Sequence, residues 1–140
     1  MFRRFSGVFG RFWCGTQGAT AVEFALVALP FFLMMFGVVE AGRIVWTMAG
    51  VQYAVEETSR YAALNSDLDE ATFQTYAATK LSGMMVTSDG LEISSDFYTA
   101  NGVDFVEVGG VYPVSPILDI FPDGFGAFSF SASARKPVVD

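Results

Sequence analysis

Histidine is absent from all 140 residues, and cysteine occurs once, as Cys14. The chain therefore lacks the commonest general base and neutral metal ligand, and it can close no internal disulfide and build no thiolate zinc site. It also has no Gly-x-Ser-x-Gly turn and no phosphate-binding Gly-x4-Gly-Lys loop. The acidic trio Asp67, Asp69 and Glu70 lacks the glycine and regular oxygen spacing of a calcium loop, and carboxylates at a helix start need no metal. No catalytic residue, metal, cofactor or small-molecule substrate is expected, and a non-enzyme fits better than an enzyme. Basic residues are scarce as well. Beyond Val39 there are five, Arg43, Arg60, Lys80, Arg135 and Lys136, against fourteen acidic ones, and the whole chain carries a formal charge of −7. That balance argues against nucleic acid and against anionic lipid headgroups as partners.

What the chain has instead is an apolar run. Residues 18–39, GATAVEFALVALPFFLMMFGVV, hold a single carboxylate, Glu23. At ~1.5 Å per residue the run from Ala19 to Val39 spans roughly 30 Å as a helix, the thickness of a bilayer's hydrocarbon core. A carboxylate there costs on the order of 2.5–3.5 kcal/mol at the bilayer centre, so Glu23 calls for an interfacial position or a partner. Arg3, Arg4 and Arg11 precede it with no acidic residue among them. By the positive-inside rule the N-terminus stays in the cytoplasm and the C-terminal hundred residues cross. A secretory signal peptide is a poorer fit, because its apolar core is usually ~7–15 residues and ends in a small-x-small site, whereas Glu40-Ala41-Gly42-Arg43 follows here.

A basic leader, then Gly18, then Ala19-Thr20-Ala21-Val22-Glu23-Phe24 resembles the processing motif of type IV pilins and pseudopilins. The fuller string GATAVEFALVALPFF…FGVVEAGR is similar to the TadE-like pseudopilins of the tight-adherence (Tad, or Flp) pilus system. The specific likeness covers roughly residues 15–43. It implies cleavage between Gly18 and Ala19 by a prepilin peptidase, and an assembly role for Glu23 and Phe24. It also implies a pilin-like α+β fold. Major subunits of such pili are much shorter, so the length favours a minor pilin. Three segments are expected: a leader 1–18, a transmembrane helix 19–41 and a periplasmic or extracellular domain 42–140. Cleavage would remove Cys14 and leave fifteen acidic and five basic side chains.

The helix is expected to continue past the membrane to about Ala63, a rod of roughly 68 Å, with Pro30 removing one hydrogen bond and favouring a kink. Glu40 and Arg43, three apart, can pair on one helix face at the membrane boundary. Farther on, Asp67-x-x-Glu70 reads as a capping box opening a helix through about Ser82, with Leu68, Ala71, Tyr76 and Leu81 facing inward. Leu91–Tyr98 and Val103–Val108 read as a hairpin turning at Asn101-Gly102. Pro113, Pro116 and Pro122 frame a loop carrying Ile117, Leu118, Ile120 and Phe121. Ala127–Ala134 alternates Phe128, Phe130, Ala132 and Ala134 with Ser129, Ser131 and Ser133, as a half-buried antiparallel strand does.

These readings lead to a minor pilin of the Tad system, single-pass in the bacterial inner membrane and able to enter the surface pilus. Its expected partners are the membrane, a prepilin peptidase, other pilins and the assembly platform. An uncleaved, membrane-anchored periplasmic scaffold or binding protein is the other reading, and a mature N-terminus at Ala19 distinguishes the two.

Overall fold

A computed structural model describes residues 16–116 and 128–138. Helix α1 runs Thr16–Leu64 and α2 Glu70–Gly83; strands follow as β1 (Glu92–Ala100), β2 (Val103–Val114) and β3 (Phe128–Pro137). The fold is α+β, a long apolar N-terminal helix followed by a small head with a three-stranded antiparallel sheet. Two compact units divide between Val39 and Glu40.

In the first unit α1 is exposed nearly all round. Phe24, Leu26, Val27, Leu29 and Phe31 all face outward, and none of the most apolar window, of mean hydropathy 2.3, is buried. A helix with apolar side chains on every side and no protein against them is matched to hydrocarbon, and α1 is long and apolar enough to cross a membrane. The helix runs on through Pro30.

In the second unit the sheet order is β1-β2-β3, with both pairs antiparallel. Asn101 and Gly102 both take positive φ, 53° and 75°, as a two-residue type I′ hairpin requires. Strict alternation follows from the register. Val106, Val108, Gly110, Tyr112 and Val114 of β2 face the helices together with Leu91 and Ile93, while the serines of β3 face out. Phe130, Ala132 and Ala134 pack against the core, as their spacing predicts. Val51, Ala54, Val55, Ala62 and Ala63 of α1 complete it with Phe73, Ala77 and Leu81 of α2. Helix and sheet approach closely at Gly110, where a Cβ would stand 2.4 Å from Val55 Cγ2. Glycine at 110 is thus a packing requirement.

Three expectations are corrected. Asp69, not Asp67, caps α2: its backbone is extended (φ −84°, ψ 161°) and its carboxylate accepts the Thr72 N–H. Hydrogen bonds from Asn65 N–H to the Ala62 carbonyl and from Leu68 N–H to the Asn65 carbonyl make 65–68 a turn of its own, so the helix cannot open at Asp67. The buried face of α2 shifts accordingly to Phe73, Ala77 and Leu81. Leu68 and Ala71 are exposed, and Tyr76 is half-buried, stacked on Tyr61 with ring centroids 4.3 Å apart. Second, Pro113 lies within β2, opposite Ser129. Pairing with β1 stops at Val111, so beyond it β2 has only β3 as neighbour and a residue without an N–H is tolerated. Third, β2 runs to Val114 rather than Val108. The apolar residues Ile117, Leu118, Ile120 and Phe121, with Pro122, lie outside the described residues.

The end of α2 is a Schellman motif. Val86 N–H reaches the Leu81 carbonyl and Met85 N–H the Ser82 carbonyl, with Val86 and Leu81 both buried. The left-handed position of that motif, usually glycine, is Met85 (φ 58°), at a cost of roughly 1–2 kcal/mol for a side chain there.

Candidate assembly segment and head base

The sequence marks two groups of residues, one in each unit. Gly18, Ala19, Glu23 and Phe24 belong to the first, in the opening turns of α1, and all four are exposed. A Cβ on Gly18 would meet nothing within 4 Å, so no packing among the described residues demands a glycine there. Glu23 sits one turn beyond Ala19 on the same helix, and among the described residues it forms no ion pair. Its carboxylate is exposed on an apolar stretch of helix. No group of three or more His, Cys, Asp or Glu side chains suited to a metal occurs among the described residues.

Glu40 and Arg43 open the second unit. Arg43 donates to both Glu40 oxygens, at 2.6 and 3.2 Å, a two-bonded geometry that fixes the plane of the guanidinium. The same guanidinium donates to the backbone carbonyl of Ser115 at 2.6 Å. Arg43 therefore ties the chain just past β2 to α1 across 72 residues of sequence, while Glu40 balances its charge. One turn on, the Trp46 indole N–H donates to the Met84 carbonyl at 3.0 Å and ties down the end of α2. Tyr112 adds a third tie, its hydroxyl donating to the Thr87 carbonyl at 3.0 Å, and burial pushes that phenol above its usual value.

The i, i+3 spacing of Glu40 and Arg43 makes their pairing readable from sequence. Their link to Ser115 is not, because it depends on where β2 ends. Nor does any periodicity announce the Trp46–Met84 bond, although a tryptophan just past an apolar run is a familiar interfacial signal.

The family model for TadE-like protein matches residues 18–60. No curated protein and no solved structure matches the chain. The matched segment begins at Gly18 and takes in Glu23, the apolar run, Glu40, Arg43 and Trp46. Over residues 18–60, the chain is similar to TadE-like proteins.

Proposed function

We propose that this chain is a minor pilin, or pseudopilin, that takes part in assembling a Tad-type pilus for surface adherence. In this reading a prepilin peptidase cuts between Gly18 and Ala19, the leader staying in the cytoplasm and the head emerging on the periplasmic side of the inner membrane. The observation that carries it is the start of the TadE-like match at Gly18, five residues before Glu23, the one carboxylate in the apolar run 18–39.

The chemistry is consistent with that role. A glycine with open space around it admits close approach. Cleavage frees the amine of Ala19, largely protonated near neutral pH, at the head of an apolar helix. The Glu23 carboxylate of a neighbouring subunit neutralises that amine and sets the stagger between incoming and assembled subunits. Where water is excluded, removing one partner strands the other charge. Within one helix the same carboxylate gains only about 0.3–1 kcal/mol from the helix N-terminus.

Glu23→Val separates these roles. The substitution removes a charge from the apolar segment, so membrane insertion should be undiminished. Surface pili, counted in a strain with normal cleavage and normal membrane level of the subunit, should fall sharply. Undiminished piliation would refute the intersubunit pairing, and a chain whose deletion leaves pili unchanged would refute the assembly role.

A further inference from the structure

The head bears apolar surface that its own fold leaves uncovered. Met85 is 98% exposed, although its positive φ puts it where glycine ordinarily stands. Beside it the Met84 carbonyl accepts the Trp46 N–H, which joins the end of α2 to α1 and leaves the Trp46 side chain 56% exposed. Val45 is exposed as well. The surrounding sequence is depleted of acid: none of the fifteen acidic residues falls in 41–55 or 71–88. The only charges in those stretches are Arg43, bound to Glu40, and Lys80. Trp46 follows the last residue of the apolar run, Val39, by seven positions in α1.

A fully displayed methionine at a backbone position that disfavours it does nothing for the head's own packing. An amphipathic indole and an unbranched apolar side chain, in stretches of sequence without carboxylates of their own, suit the layer between lipid headgroups and acyl chains. We propose that Trp46 and Met85 form a docking surface by which the head rests on the zwitterionic headgroup layer of the bilayer that α1 crosses. This rests on the membrane-anchor reading of α1 and continues it from the helix to the head. The head is acidic elsewhere, so the contact works by apolar burial rather than by charge. It holds the head against the membrane while the subunit is stored there, and extraction into a filament must break it.

The test uses the full chain with Cys14→Ala, labelled with a nitrobenzoxadiazole fluorophore through Met85→Cys. Parallel samples carry the label through Val27→Cys in the apolar run or Ser131→Cys on the outer sheet face. Each is reconstituted in phosphatidylcholine vesicles bearing a nitroxide either at the headgroup or deep in the acyl chain. The headgroup nitroxide should quench the label at position 85 several-fold more than the label at 131, and the deep nitroxide should act chiefly on 27. If position 85 behaves like 131 while 27 is quenched, the anchor stands and the docking surface is overturned. If 27 is not quenched either, the membrane reading fails and takes the docking surface with it. Shielding of position 85 that rises with protein density and ignores the nitroxide would assign the surface to a second copy, which also overturns the proposal. Labelling replaces Met85, so Trp46 emission in a Trp13→Phe chain gives an independent readout. A blue shift on reconstitution, with quenching by the headgroup nitroxide, is expected; unchanged, water-like emission contradicts it.

Discussion

Single atoms decide the fit of helix to sheet at Gly110. A methyl group there would stand 2.4 Å from Val55 Cγ2, closer than real carbon atoms approach. Gly110→Ala should therefore destabilise the head by about 1–3 kcal/mol through overpacking. Adding Val55→Ala should return part of that loss, since it removes the atom that clashes; denaturation midpoints of the single and double variants measure the coupling. Asp69 acts through charge rather than volume. Hydrogen bonds from the Thr72 hydroxyl and N–H hold its carboxyl below the usual range. A depressed carboxyl stabilises the fold above the ordinary value, near 4, and loses that contribution as pH falls through the folded value. Stability of the wild-type head should thus decline below about pH 4 more steeply than that of Asp69→Ser, whose hydroxyl caps without titrating.

Among the elements, the β1 edge of the sheet is closed by a side chain of α2. At the β1 edge Gln74 of α2 acts as a short stand-in for a strand. Its amide nitrogen donates to the Leu91 carbonyl and its oxygen accepts the Ile93 N–H at 2.8 Å. Gln74→Leu should leave both backbone groups without partners and cost about 1–3 kcal/mol, with faster hydrogen exchange at Ile93 as the local sign. If Ile93 exchange is unchanged, the edge does not depend on Gln74. This device also marks the limit of what the sequence discloses. The hairpin at Asn101-Gly102, the alternation of β3 and the uninterrupted α1 are written in local periodicity and turn chemistry, and each appears in the structure. The cap of α2 is not legible, because Asp67 and Asp69 are equally good cap residues and only the 65–68 turn chooses between them. Pro113 reads as a loop residue until the point where β1 stops pairing is known. Gln74, the Arg43–Ser115 tie and the exposed Met85 depend on contacts between distant segments, which no spacing encodes.

At the scale of the whole molecule, the chain joins an apolar helix suited to hydrocarbon to an acidic head whose core is built from α1, α2 and one sheet face. With no cysteine beyond Cys14, the head relies on packing, caps and side-chain ties such as Arg43 to Ser115. The TadE-like segment 18–60 spans both units. In the proposed reading this helix serves first as a membrane anchor and then, once the leader has been removed, as the part that packs in a filament. Intact-mass and N-terminal determination of the protein from cells with and without the prepilin peptidase tests this most directly. A chain beginning at Ala19 in the first case and at the unprocessed N-terminus in the second is expected, with Gly18→Leu blocking the change. The same uncut chain from both strains would contradict it, and would leave an anchored scaffold of the cell envelope in its place.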